Sequence, residues 1–416
     1  MGDLTAERVR AEAKSWAEAK WDPELTVAEW WRLLADAGYA APTLPEAVGG
    51  RGYARDLALA ASAGLAEVGV VGPPMGLGMM LAAPTIAAHG NDEQKRTLIP
   101  RILDGTDAWC QLFSEPGAGS DLAGLQTRAE RDGDEFVVTG QKVWTSGGQI
   151  ADVGMLLART DPDAPKHKGI TYFAFDMHQP GVQVRPLREM TGRALFNEVF
   201  IDEARVRATD IIGALNDGWR VANTTLMVER ASIGAGGAGG LGIAYPGSIV
   251  GHRARKAREF VGEKQTSTGA GAFGVTTAKR FAALARAHGV DRDPIVRQGL
   301  AELHTLTTVN QWNVQRARTG RGRTGVEGNL AKLLLTTTLR RARAVGNAII
   351  GADGMLWGPG TASDGSVQEL TVFSPAPAIY GGTDQVQRNI VAERGLGLPK
   401  EPGDQRAVPF RDLPRN

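Results

Sequence analysis

Leu112-Phe113-Ser114-Glu115-Pro116-Gly117-Ala118-Gly119-Ser120-Asp121, followed by Gly140-Gln141-Lys142-Val143-Trp144-Thr145-Ser146-Gly147-Gly148, is the stretch whose reading decides the fold. Pro-Gly-Ala-Gly marks a turn, because proline presets one backbone angle and glycine tolerates conformations closed to other residues. The residues around it have strand character. Glu135-Phe136-Val137-Val138-Thr139 and the runs 153–158, 170–175 and 182–184 are separated by Gly, Asp and Pro turns. Taken alone, the two quoted pieces are a turn and a strand tryptophan in a β core.

On both sides of this segment the periodicity changes. Roughly the first 108 residues carry Ala-rich amphipathic stretches, such as 27–37 and 56–68, broken by a Pro/Gly loop at 41–52. From residue 213 onward helical signals return, including 293–318 and 328–345. Helices, then strands, then helices predict an α+β chain rather than alternating βαβ units. The expected domains are 1–108, helical; 109–212, β; and 213–416, helical.

Bulk properties remove several function classes. The net charge of +1 comes from 47 basic and 46 acidic residues, interspersed, so nothing draws the chain to nucleic acid or an anionic membrane. Residues 1–21 lack the apolar core of a signal peptide, and no run of roughly 18 apolar residues is long enough to span a bilayer. The single cysteine, Cys110, excludes an internal disulfide, fits a reducing cytoplasm and reads as a core residue. Six histidines show no metal-ligand spacing, so no metal site is expected. Gly234-Ala235-Gly236-Gly237-Ala238-Gly239 has the spacing of a dinucleotide fingerprint but follows a helical stretch instead of a strand, so helix packing explains it better. Ser232 has no histidine near it in sequence, which leaves a hydrolase triad unsupported.

The quoted stretch resembles the flavin-binding middle domain of the acyl-CoA dehydrogenases. The resemblance extends over nearly the whole chain, from LADAGYAAPTLPEAVGG at 34–50 to YGGTDQVQRNIVAERGLGLP at 380–399, and is weakest at 250–295. It implies an N-terminal α-helical domain, a central β-barrel-like domain and a C-terminal four-helix domain. It also implies FAD as cofactor, an acyl-CoA thioester as substrate and an electron-transfer flavoprotein as electron acceptor. Phe113 and Ser114 then sit beside the flavin ring, and Gly119 and Ser120 approach the flavin and the thioester, with Ser120 also a substrate residue. The hydroxyls of Ser114 and Ser146 offer donors, Trp144 offers a flat wall, and Thr383 and Gln385 match cofactor-contacting positions.

In much of that family the catalytic glutamate directly precedes a Gly-Thr pair. Here the motif is Ile379-Tyr380-Gly381-Gly382-Thr383, and the corresponding position is Gly381, which holds no proton. A second group, resembling isovaleryl- and long-chain-type dehydrogenases, carries its base on an earlier helix at a Glu-Arg pair. Leu226-Met227-Val228-Glu229-Arg230 stands in that place, which makes Glu229 the candidate base and Arg230 a candidate substrate-site cation. The chemistry requires a carboxylate, since the α-proton of a thioester is weakly acidic and its removal needs a base within hydrogen-bond reach. Gly381 retains a backbone N–H able to stabilise developing enolate charge. Asp384, three residues after the vacated position, is expected to face elsewhere.

Family homotetramers also grip FAD across a subunit interface, through Arg-x-x-Phe-Gly and Gln-x-x-Gly-Gly elements. Ala270-Gly271-Ala272-Phe273-Gly274 lacks the arginine, and Ala348-Ile349-Ile350-Gly351-Ala352 lacks the glutamine and one glycine. Two readings follow: a homo-oligomer that holds FAD by other residues, or a heterotetramer in which another family subunit completes the site. A non-catalytic accessory subunit and a flavin monooxygenase on the same fold are the alternatives to a dehydrogenase. The glycine-rich stretch 234–242 would open a wide pocket for a bulky acyl group such as a sterol side chain.

Overall fold

A computed structural model describes residues 4–234, 253–261, 277–319, 324–358, 360–400 and 407–413. Five helices come first: α1 (Ala6–Lys20), α2 (Val27–Asp36), α3 (Arg55–Val68), α4 (Ala83–His89) and α5 (Asp92–Leu103). Their starts are written locally. Thr26 and Glu29 form a reciprocal capping box on α2, and Asn91 and Gln94 form one on α5. The α2 indoles of Trp30 and Trp31 are buried and donate to the carbonyls of Val71 and Gly72 at 2.7 and 2.8 Å, so their polar edges are satisfied inside the core. Gly64 lets α3 lie against α1, since a β-carbon there would stand 2.2 Å from the Arg10 carbonyl oxygen.

Seven strands follow: β1 (Trp109–Leu112), β2 (Arg128–Asp132), β3 (Glu135–Ser146), β4 (Val153–Arg159), β5 (Ile170–Asp176), β6 (Val182–Leu187) and β7 (Phe196–Arg207). They form one sheet in the order β1-β4-β2-β3-β7-β6, with β5 antiparallel to β4. β4 is buried on both faces, which is why it reads as a continuous apolar run. Its alternate residues serve two cores. Leu156 and Ala158 join Phe136, Phe173 and Val199 inside the curled sheet, while Met155 and Leu157 join the helical core of α2, α4 and α5.

The chain then returns to helices: α6 (Gly218–Gly234), α7 (Thr277–Ala287), α8 (Pro294–Thr319), α9 (Glu327–Ile350), α10 (Ser366–Phe373) and α11 (Asp384–Ile390). α9 is the hub, with α6, α7, α8, α10 and α11 packed on it. Phe281, Leu303, Leu339, Val345 and Val367 fill that core. Gly346 gives Phe281 room, because a β-carbon would sit 2.8 Å from its ring.

The α+β order, with helical, β and helical regions, is as expected from the sequence. The expected helices at 27–37, 56–68, 293–318 and 328–345 appear as α2, α3, α8 and α9, the last extending to Ile350. Strand β7 goes beyond the expected strands: Glu198, Asp202, Glu203, Arg205 and Arg207 alternate with Phe196 and Phe200 on its outward positions and leave only a short apolar run, and its inward residues Val199, Ile201, Ala204 and Val206 are recruited by pairing with β3 and β6. Among the described residues, no helix is long and apolar enough to cross a membrane, and no group of three or more His, Cys, Asp or Glu side chains is placed to hold a metal ion.

Candidate active site

The loop after β1 closes on itself through reciprocal backbone bonds between Glu115 and Ala118, at 3.0 and 3.1 Å. It is joined to β3 by the Val143 N–H, which donates to the Ser114 carbonyl at 2.9 Å. A buried ion pair fastens the same junction. The Lys142 ammonium donates to the Glu115 carboxylate at 2.8 Å and to the Phe113 carbonyl at 3.1 Å. The other Glu115 acceptor sites take the N–H groups of Gln126 and Thr127 at 2.7 and 2.9 Å. Burial works to raise the Glu115 pKa, but Lys142 and these donors outweigh it and hold the carboxyl below its ordinary value of 4.5. Burial without a complete set of anionic partners pushes the Lys142 ammonium below its usual range.

This pair brings Phe113 and Ser114 beside residues 143–146. The β3–β7 register slips between Lys142 and Thr145. At that irregularity Trp144 adopts a left-handed backbone with φ of +61° and turns its ring outward, 61 % exposed, with Phe196 edge-on at 6.0 Å. Ser114 and Ser146 are partly exposed at the same end of the sheet, and Gly119 and Ser120 lie open on the loop. An outward-turned indole at the same end of the sheet as two partly exposed serines offers a flat face and hydroxyl groups to a hydrogen-bonding ring system. The residues present therefore fit an isoalloxazine.

From this platform a line of contacts leads to α6. Phe113 packs edge-on against Tyr172 of β5, with ring centroids 5.9 Å apart. The Tyr172 hydroxyl lies 3.4 Å from Thr225 on α6, and the Thr225 hydroxyl is 2.9 Å from that of Thr85 on α4. Thr224 meets His89 at 2.7 Å. Glu229, partly buried, is one helical turn beyond Thr225 and so rides on the face that α6 turns toward this junction. The Arg230 side chain, and most of the glycine run 234–242, lie outside the described residues, as does the 270–274 element. Ile349 and Ile350 of the 348–352 element are core residues at the end of α9.

Gly381 and Gly382 have φ of +62° and +82°, and form a turn whose carbonyls both accept from the Gln387 amide, at 2.7 and 3.4 Å. Among the described residues the Gly381 N–H meets no acceptor. Thr383 caps α11 by accepting from the Val386 N–H at 3.1 Å, and Gln385 is exposed. Asp384 faces inward, against Lys332 and Thr336 of α9, both at 3.1 Å, with Arg340 at 3.6 Å. Glu229 and Gly381 thus belong to two elements that share α9 as support.

Sequence reasoning passed over three charged anchors: Lys142 with Glu115, Lys332 with Asp384, and Arg159. For Lys142 a signal existed. Period two along β3 places it on the same face as Phe136 and Val138, so a lysine occupies an inward register and requires a buried partner.

The family model described as acyl-CoA dehydrogenase, N-terminal domain, matches residues 1–106; the middle-domain model matches 110–203; and the C-terminal-domain model matches 266–396. The chain is 36 % identical over 376 residues to the acyl-CoA dehydrogenase IpdE1 of Mycobacterium tuberculosis, covering 89 % of this chain and 88 % of that one. Among solved structures it is similar to the Tcur3481-Tcur3483 steroid ACAD, with TM-score 0.70 and 28 % identity over 95 % of this chain and 98 % of that chain. It is also similar to the ChsE4-ChsE5 complex of Mycobacterium tuberculosis, with TM-score 0.66 and 28 % identity over 96 % of this chain and 100 % of that chain.

Proposed function

The chain belongs to the acyl-CoA dehydrogenase family, and from that premise we propose that it introduces an α,β double bond into an acyl-CoA thioester with Glu229 as the base. The observation that carries this reading is the contact line from Phe113 through Tyr172 to Thr225, one turn before Glu229, together with a glycine at 381. A carboxylate is supplied from α6, and the turn before α11 supplies none.

Phe113, Ser114, Gly119, Ser120, Trp144 and Ser146, with Thr383 and Gln385 from α11, would hold FAD. When bound, the flavin supplies the acceptor for the β-hydrogen, which leaves with its bonding electrons. Glu229 takes the α-proton, so the α C–H electron pair becomes the new double bond as the β C–H bond breaks. The Gly381 N–H donates to the thioester carbonyl as negative charge develops on its oxygen, a role a glycine fills without a side chain. Ser120 and Arg230 would position the thioester. An electron-transfer flavoprotein would accept the electrons.

Glu229→Gln tests the assignment. The variant is expected to retain flavin and bind acyl-CoA, while anaerobic flavin bleaching and α-proton exchange with solvent fall by about 10²–10⁴-fold. Full retained activity of the variant in complex with a partner subunit overturns the role of Glu229 and favours an accessory subunit.

A second reading concerns assembly. Two similar structures carry paired names, the Tcur3481-Tcur3483 steroid ACAD and the ChsE4-ChsE5 complex. Together with the missing arginine at 270 and glutamine at 348, this supports a heteromer acting on a bulky acyl group. Flavin content of the chain expressed alone decides it: about one FAD per chain supports a homo-oligomer, and a colourless protein supports a partner that completes the site.

A further inference from the structure

We propose that Gln387, backed by Asn329, is the positioning residue that aims the Gly381 N–H at the thioester carbonyl. This rests on the role given to Gly381 above. The Gly381-Gly382 turn lies between the short helical turn Ala376–Ala378 and α11. Its two residues take positive φ in succession, +62° and +82°. Glycine enters this conformation without strain and leaves it as easily, so the N–H is aimed only as well as outside contacts hold the turn.

Gln387 supplies those contacts. Its amide N–H groups donate to the Gly381 carbonyl at 2.7 Å and to the Gly382 carbonyl at 3.4 Å. Carbonyls only accept, so the nitrogen end of the amide faces the turn and the oxygen faces away. That oxygen accepts from the Asn329 side chain at 2.5 Å. Gln387 is fully buried and Asn329 is 7 % exposed, so an unmade hydrogen bond is costly for either and the pair keeps one arrangement. A β-carbon at 382 would stand 2.6 Å from the Gln387 Nε2 and push the amide off the turn.

The support comes from one stripe of α9. Asn329, Lys332 and Thr336 stand at i, i+3 and i+7 on a single helix face. Lys332 and Thr336 both meet Asp384, and the Thr336 hydroxyl also donates to the Pro377 carbonyl at 3.3 Å. They fix the ends of segment 377–384, and Gln387 fixes its middle. The Gly381 N–H, which meets no acceptor among the described residues, is thereby held in one direction before charge develops on the substrate.

The test uses the FAD-loaded protein, with its partner subunit where the chain alone is colourless, and saturating cinnamoyl-CoA as probe. Absorption of this conjugated thioester moves to longer wavelength when donors on its carbonyl stabilise negative charge there. Gln387→Met keeps the side-chain length but donates nothing, and Asn329→Asp keeps the size but cannot donate to the Gln387 oxygen. Lys332 and Thr336 still dock α11 in both. The shift is expected to fall to about half or less, and flavin reduction by 3-phenylpropanoyl-CoA to slow about 10–100-fold in kcat with KM little changed. A merely structural role lowers the melting temperature and leaves the shift of the folded, FAD-loaded protein intact. A full shift in Gln387→Met therefore overturns the proposal while the Gly381 reading stands, and a full shift in Asn329→Asp alone removes Asn329 from it. Loss of FAD from both variants also overturns it, because the two amides then hold the cofactor site and not the donor. No shift in the unsubstituted protein overturns the Gly381 reading and this proposal together.

Discussion

The Lys142 ammonium lies 2.8 Å from the Glu115 carboxylate, with the lysine side chain fully buried and the glutamate 8 % exposed. Through this pair the loop that carries Phe113 and Ser114 is locked to the strand that carries Trp144 and Ser146. Removing one partner strands a buried charge. Lys142→Met is expected to cost about 3–5 kcal/mol in chemical denaturation, and the double substitution Glu115→Leu/Lys142→Met considerably less. Equal losses for single and double variants would show that the two side chains act independently.

The same pair sets an acid limit. Glu115 is held below 4.5 in the folded chain, so it contributes stability that is fully present above 4.5 and is lost as pH falls through its lowered folded value. Thermal melts across the acid range should show this loss in the unsubstituted chain, and a flatter acid limb in Glu115→Gln. Parallel acid limbs would assign the loss to other carboxylates.

Trp144 combines a left-handed backbone with a ring that is 61 % exposed and meets Phe196 edge-on at 6.0 Å, an arrangement whose backbone cost is returned by little packing among the described residues. Trp144→Gly is expected to leave stability in urea denaturation unchanged or to raise it by about 1 kcal/mol of relieved strain, while weakening FAD roughly three- to tenfold. Retained FAD affinity would remove Trp144 from the flavin site.

Lys332 and Asp384 anchor the turn that presents Gly381. Lys332→Met leaves Asp384 buried with the Thr336 hydroxyl at 3.1 Å and Arg340 at 3.6 Å as its partners. A loss of about 3 kcal/mol is expected, at the low end for a broken buried pair because Arg340 compensates in part. Urea denaturation gives the value, and a change within 0.5 kcal/mol, about that of a neutral surface substitution, would contradict the anchoring role.

Cys110 is sealed in the sheet core beside Met177, and burial pushes its thiol up to about 12. No reaction with a thiol reagent is expected in the native chain at pH 8, and one thiol per chain after denaturation. Rapid native labelling would show that the β1 edge opens.

The order of helices and strands, the buried run of β4, the capped starts of α2 and α5 and the candidate residues Ser114, Trp144 and Glu229 are all local in origin. Periodicity, capping residues and short ordered motifs carry them, and each can be read within about a dozen neighbouring residues. The sequence by itself also determined that position 381 offers no proton-accepting side chain. It did not bring Thr225 of α6 to Tyr172 and so toward Phe113, nor turn Trp144 outward at a slipped register. It gave no partner to Lys142, Lys332 or Arg159. Those were decided only by the tertiary structure. Burying a charge is unfavourable until a partner far along the chain arrives, and which partner arrives depends on how strands and helices pack, not on the neighbours that sequence patterns report.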